Sequence, residues 1–205
     1  MKAKLLIATA LTAGIITACG DNAAEPAAKP DTTQAIIDNI MTRTSIRNFT
    51  TGAISADTLE VLVKAGMAAP TAVNTQPWSF IVITDRATMD SLAAVHPYSR
   101  LDGAAAAIVV CGDMEKALKD EAREYWVQDC SAASENILLA AHAYGLGAVW
   151  CGVYPDGKRV AEVSSVLGLP STLIPLNIIT MGHPADYPDP KDKWKPENVR
   201  YIDGK

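Results

Sequence analysis

The sequence predicts a single-domain α/β or α+β sandwich, and three observations carry that expectation. Short apolar runs bounded by turn residues alternate with stretches whose apolar residues recur every three to four positions, so strands and amphipathic helices alternate along the chain. The length, 205 residues, suits one domain. Hydrophobic residues make up 49% of the chain, enough to close a core of that size. The formal net charge of −5 argues against a nucleic-acid partner, which requires a basic face.

The N-terminus stands apart from the fold. Lys2 and Lys4 precede an apolar stretch from Leu5 to Ile16 and then small residues, the pattern of a secretory signal. Ile16-Thr17-Ala18-Cys19 resembles a bacterial lipobox, in which the cysteine thiol takes a diacylglyceryl group and becomes the mature N-terminus. Residues 1–19 are therefore expected to be a lipoprotein signal, with Cys19 the lipidated residue. Residues 20–31 are small, polar and Pro-containing and read as a flexible tether, which leaves 32–205 as the folded domain. The expected location is the bacterial cell envelope, periplasmic or surface-facing, with membrane contact through the lipid alone. The mature region has no 18-residue apolar run.

The elements follow in order. "TTQAIIDNIMTR" places Ile36, Ile37, Ile40 and Met41 on one helical face. "SADTLEVLVKAGMAAP" opens with Ser55 as a cap, turns Leu59, Leu62 and Val63 inward and stops at Pro70. "SFIVITD" is a buried strand, "DRATMDSLAAVH" a helix and "AAAAIVVCGD" a second buried strand. A long helix runs from about Glu121 to Tyr144, with Trp126, Cys130, Ala133, Ile137, Ala140 and Tyr144 in its period and Gly145 at its end. "GAVWCGVY" is strand-like, "GKRVAEVSSVLG" helical and "LIPLNIITMGHP" a last strand. Cys111, Cys130 and Cys151 lie in apolar contexts without CxxC spacing and read as buried thiols, not a disulfide framework.

Common catalytic signatures are missing. There is no GxSxG elbow or P-loop, and "GLGAVWCG" lacks the spacing of a dinucleotide fingerprint. His96, His142 and His183 are far apart and show no metal-ligand spacing, and His142 reads as structural. Two local features remain. "TRTSIRNFTTG" clusters Arg43, Ser45 and Arg47 in an acidic chain, which suits either an anion or the C-terminal dipole of the preceding helix. "APTAVNTQPWSF" is a polar loop between a helix and a strand, whose Asn74 and Gln76 offer both donors and acceptors. Such a loop either caps its neighbours or reads a planar, amide-rich heterocycle.

"RTSIRNF" and "PTAVNTQPW" resemble the two N-terminal signatures of the FMN-dependent nitroreductase family. "DCSAASENILLAAHAYGLGAVWCGVYP" is similar to the family's central helix and following strand, and "MGHPADYPDPKDKWKPENVRY" to its C-terminal segment. The resemblance spans roughly residues 32–203 and implies an α+β fold, a mixed β-sheet flanked by helices, with FMN bound at a homodimer interface. It implies that Arg43, Thr44, Ser45 and Arg47 face the FMN phosphate, a dianion that guanidiniums bind through bidentate, charge-assisted hydrogen bonds. Lys191 and Lys193 match basic positions expected to reach the same phosphate, with Lys193 standing where Arg is common. Pro70, Thr71, Ala72, Asn74 and Gln76 match the flavin-contacting loop; Ser is common where Thr71 and Ala72 stand. Trp150, Cys151 and Gly152 match the segment that passes the reactive edge of the ring.

No protein nucleophile or catalytic dyad is then expected, because the flavin carries the redox chemistry and the protein orients and shields it. The implied activity is a ping-pong, two-electron reduction of a nitroaromatic, quinone or similar conjugated electrophile, with NAD(P)H as donor in solution. Other readings are a surface-anchored flavin-binding protein without turnover and a family relative with another reaction, such as reductive dehalogenation.

Overall fold

The structure, a computed structural model, describes residues 32–202. The expected signal, Cys19 and the tether lie outside the described residues. In chain order the elements are helix α1 (Thr32–Thr42), strand β1 (Phe49–Thr50), α2 (Ala56–Met67), β2 (Trp78–Ile83), α3 (Arg86–Val95), β3 (Ala106–Asp113), α4 (Tyr125–Ala143), β4 (Gly147–Gly152), α5 (Gly157–Leu167) and β5 (Leu173–Pro184). Every expected helix and strand is present. The two-residue β1 carries too little pattern to be read from sequence. The long helix begins at Tyr125, because residues 120–124 form a 3-10 turn that opens with Asp120 at a positive φ of 53°.

Local signals explain the helix ends. The Ser55 hydroxyl accepts from the Thr58 backbone N–H at 3.1 Å, and the Asp85 and Asp156 carboxylates cap α3 and α5 in the same way. Capping satisfies amide donors that have no partner inside the helix. Gly145 and Gly168, both left-handed, follow α4 and α5.

Strand β5 is the spine of the sheet. It pairs with β3 along Leu173–Met181, with β4 along Asn177–Gly182 and with β1 at His183 and Pro184; β3 pairs in turn with β2. All of these pairs are antiparallel, and the parallel component of the sheet is one bridge between Ser45 and Ala148. Every residue of β3 is buried, so the sheet is covered on both faces. Ala106, Ile108 and Val110 meet the cluster built with α2 and α4, around Leu62, Trp126 and Ile137. Ala107, Val109 and Cys111 meet the cluster built with α3 and α5, around Met89, Leu92 and Val163. A helix–sheet–helix sandwich results, with the period-2 alternation of β3 feeding both sides.

Helix α1 has no buried residue. Its apolar face stays in solvent in the single chain, with Ile36 61% exposed and Met41 69%. The three cysteines are buried free thiols, as expected.

Candidate functional site

The site begins where the chain leaves α1 and runs beside β4. The Ile46 N–H donates to the Ala148 carbonyl at 3.1 Å, and Ile46 is buried. Its side chain lies so close to Gly147 that a Cβ there would come within 2.6 Å of it, so glycine is required for this approach. Ile46 is thus the anchor of "RTSIR", and the polar residues around it are free to line a cavity.

That cavity measures about 600 Å³ and is lined by Arg43, Thr44, Ser45 and Arg47 together with Lys191 and Lys193. Residues about 145 positions apart in sequence therefore share one wall, as the resemblance implies. Four cations line it against two carboxylates, Glu135 and Asp192, a surplus of two positive charges. Arg43 is the more enclosed arginine; its Nε meets Glu135 Oε1 at 3.2 Å, and its side chain is 17% exposed. Arg47 is exposed, and its Nη1 donates only to the Ser45 carbonyl, at 3.3 Å. The α1 residues Ile40 and Met41 form part of the rim, so the cavity adjoins the uncovered apolar face.

A second cavity, about 350 Å³, is lined by Trp150, Cys151 and Gly152 with Arg47, His96, Arg100 and Arg159 among others. Arg47 is common to both cavities. Nothing lies within 4 Å of where a Gly152 Cβ would stand, so a flat group has room to approach this backbone. The Gly152 carbonyl is held from behind. A carbonyl only accepts, so His96 Nε2 carries the proton of the 3.0 Å contact, and Arg159 Nη1 donates to the same oxygen at 3.3 Å. Burial, reinforced by the Arg159 charge, holds His96 below the ordinary histidine range. The Cys151 thiol is pushed up by burial, against the opposing pull of Thr180, Arg100 and Arg47.

The polar loop 70–76 lines neither cavity of the single chain. It is strained: Val73, Asn74 and Gln76 have φ of 50°, 58° and 49°. For a β-branched residue such as Val73 this is a true outlier, and such strain persists only where the surroundings fix it. The Ala72 N–H donates to the buried Asp129 carboxylate at 2.9 Å, and the Gln76 N–H to Thr71 Oγ1 at 3.1 Å. The loop turns Val73 outward, 83% exposed.

Sequence reasoning did not single out Glu135, Asp129, Arg100 or the His96–Gly152 contact. Asp129 had a readable signal: it is a carboxylate beside Cys130 on the apolar face of the long helix. His142 is structural, as expected. Thr42 Oγ1 donates to Asp38 O at 2.6 Å, so His142 Nε2 donates to Thr42 Oγ1 at 3.0 Å and ties α4 to α1.

A three-layer α+β domain with a cationic cleft at the margin of its sheet and an open backbone segment beside it is the framework of a phosphate-bearing-cofactor protein. The chain belongs to the nitroreductase family, whose model matches residues 40–96 and 93–183. It is 41% identical over 164 residues to a provisionally named NADH dehydrogenase/NAD(P)H nitroreductase of Archaeoglobus fulgidus, covering 78% of this chain and 93% of that protein. The crystal structure of a similarly named protein from Bacteroides thetaiotaomicron superposes with a TM-score of 0.76 at 40% identity, covering 82% of this chain and 96% of that one. A provisionally named nitroreductase from Desulfovibrio desulfuricans, solved in complex with FMN, superposes with a TM-score of 0.70 at 32% identity, covering 82% and 96%.

Proposed function

We propose that the chain is an FMN-dependent NAD(P)H oxidoreductase that reduces nitroaromatics, quinones or similar conjugated electrophiles by two electrons in a ping-pong cycle. The observation that carries this reading is the closure of Arg43, Ser45 and Arg47 with Lys191 and Lys193 on one cleft. The donor set fits the group. A surplus of two positive charges matches a phosphate dianion, and guanidinium and ammonium donors match its acceptor oxygens. Membership of the family and the FMN held by the Desulfovibrio relative support the same assignment.

Bound FMN supplies the hydride chemistry, so the chain needs no nucleophile of its own. Its residues bind, orient and shield. Arg43, Ser45, Arg47, Lys191 and Lys193 hold the phosphate. Trp150, Cys151 and Gly152 would lie beside the ring, with the Gly152 carbonyl fixed by His96 and Arg159. The loop Pro70–Gln76 and the bare face of α1 are completed by a second copy of the chain: an exposed apolar helix beside the cleft and a strained loop presenting Val73, Asn74 and Gln76 outward are the halves of a homodimer interface that encloses the flavin.

Separately, we propose from the lipobox-like Ile16-Thr17-Ala18-Cys19 that the protein is anchored in the bacterial cell envelope through lipid at Cys19; membrane fractionation of Cys19→Ser tests this, with release or stalled processing expected and normal membrane fractionation refuting it. If the protein is anchored there it does not meet cytoplasmic NAD(P)H, so in place either another donor reduces the flavin or the physiological reaction differs from nitroreduction, while NAD(P)H serves as donor in solution. The deciding experiment is the absorbance spectrum of purified residues 20–205, then anaerobic titration with NADH and NADPH. Flavin bands that bleach and recover with an added quinone or nitroaromatic are expected. A protein that takes up no FMN overturns the assignment. A bound flavin that neither nucleotide reduces leaves the binding protein without turnover.

A further inference from the structure

We infer that Arg100 makes the cavity beside Trp150–Gly152 a subsite for an oxyanion carried by a redox substrate, a carboxylate or a phosphate. This rests on the flavin reading above, which puts the reactive edge of the ring at that segment.

The geometry carries the inference in three steps. The cavity is lined by Arg47, Arg100 and Arg159 and by no carboxylate. The charges of the three arginines are not equally answered. Arg159 is paired with Asp156 at 3.2 Å, and Arg47 also lines the phosphate cleft. Arg100 makes no ion pair within 4.0 Å among the described residues. An unanswered guanidinium in a concave, carboxylate-free wall is a place for an anion.

Arg100 is also held in an unfavourable backbone conformation, with φ of 57°. Strain of this kind persists when the surroundings over-determine it, and it concentrates at ligand sites. Here the surroundings are visible. Thr180 Oγ1 and Cys151 Sγ both donate to the Ser99 carbonyl, and the Ser99 N–H donates to His96 O at 2.9 Å. On the other side, Arg86 Nη1 donates to Leu101 O at 3.1 Å and the Ala104 N–H donates to the same carbonyl at 3.1 Å. The loop is therefore pinned immediately before and after the strained residue. Its pins include Cys151 and Thr180, which belong to the strands beneath the cavity. The backbone from which the exposed Arg100 side chain springs is thus fixed relative to the Trp150–Gly152 strand, which limits where its guanidinium can reach.

Two sources supply such an oxyanion: a carboxylate on an aromatic acceptor, or the additional phosphate that distinguishes NADPH from NADH. Two arms of one experiment separate them. In the first, oxidised holoprotein is titrated with benzoate and with benzamide, and binding is read from the flavin absorption band. In the second, steady-state KM is measured for NADPH and NADH. Arg100→Asn is the informative variant, because Asn tolerates the left-handed region while removing the charge. We expect benzoate or NADPH affinity to fall by about tenfold or more, the range of a charge-assisted hydrogen bond in a partly open site, with benzamide and NADH unchanged. Arg100→Lys should recover part of the loss. Movement of the benzoate arm assigns the anion to the acceptor, and movement of the NADPH arm assigns it to the donor. The inference is overturned if the wild type prefers neither benzoate to benzamide nor NADPH to NADH. It is also overturned if Arg100→Asn weakens charged and neutral ligands alike, as a change in the flavin or the fold would do. A protein without flavin fails the underlying reading instead, and does so before either titration begins.

Discussion

Replacing Arg47 with Ala is the most informative single perturbation of the proposed phosphate site. Among the described residues the Arg47 guanidinium makes one hydrogen bond, to the Ser45 carbonyl at 3.3 Å, and no ion pair, and the residue is exposed. Its loss should therefore change folding stability by no more than about 0.5 kcal/mol, the usual range for a surface substitution. Its ligand contribution is larger. A charge-assisted hydrogen bond contributes roughly 1.5–3 kcal/mol, and exposure places Arg47 near the lower end. FMN affinity should fall about tenfold, since about 1.4 kcal/mol is a factor of ten. Arg43 is 17% exposed at the side chain, and its removal also strips Glu135 of its partner and leaves a carboxylate facing the phosphate. Arg43→Ala should accordingly cost more, about a hundredfold. The assay is fluorescence titration of apoprotein with FMN and with riboflavin, which lacks the phosphate. Riboflavin affinity should hardly move for either variant, and added salt should weaken FMN in the wild type more than in Arg47→Ala. Equal loss of both flavins on Arg47→Ala would place Arg47 against the ring through the cavity it shares with Trp150–Gly152. Unchanged FMN affinity would return it to the role of a solvated charge. Either result refutes the phosphate assignment.

Three further outcomes are expected. Ile36→Asp with Ile37→Asp replaces no buried residue of the monomer and none that lines the phosphate cleft, so the fold should survive while sedimentation shows a monomer that has lost its flavin; a dimer that keeps its flavin contradicts the α1 interface. Burial holds His96 and His142 below the ordinary histidine value of 6.5, so the unfolded chain takes up protons that the folded chain resists. Stability is then complete above that value and declines as pH falls below it, and the melting temperature should drop from pH 7 to pH 5 with a shallower slope in His96→Gln. Asp129→Ala leaves the strained loop without its anchor on the Ala72 N–H, and should weaken FMN and riboflavin by similar factors because the loop serves the ring, not the phosphate.

The legible part of this protein was the part written in periodicity and charge. The "AAAAIVVCGD" run declared a buried strand, and β3 is that strand, covered on both faces. Ser55 declared a helix start, and its hydroxyl makes the cap. The arginine cluster and the distant lysines were legible only through resemblance, since no local rule links Arg43 to Lys193; the link is the pairing of β1 and β4 with β5, which accompanies the closure of the segments 43–47 and 191–193 on one cavity. Arg100 was not legible at all. A left-handed arginine has no compositional mark, and "HPYSRLDG" reads as an ordinary turn until its pins on Thr180, Cys151 and Arg86 are seen. The role of Ile36, Ile37, Ile40 and Met41 was half legible: the stripe was plain, but a stripe does not say whether its partner is its own core or another chain.

The thiols give the last prediction, because they bear on whether this fold withstands the export proposed for it. Cys111, Cys130 and Cys151 are an odd set, and an oxidising compartment penalises reactive odd thiols. Reactivity belongs to the thiolate and requires access. Burial pushes the Cys111 thiol up to about 12 and raises Cys130 and Cys151 as well. None of the three is more than 5% exposed. Two of the thiols are also engaged as donors: Cys130 Sγ to the Pro77 and Cys111 carbonyls, and Cys151 Sγ to Ser99 O at 3.1 Å. At neutral pH the folded domain should therefore behave as if it had no cysteines. Residues 20–205, which omit Cys19, should release no thiol to an aromatic disulfide reagent in native buffer and three after denaturation, and overnight exposure to oxidised glutathione should leave mass and melting temperature unchanged. Rapid native labelling of even one thiol would mean that the layers around β3 and β4 open on that timescale, and a domain that opens so readily would not keep its thiols in an oxidising envelope.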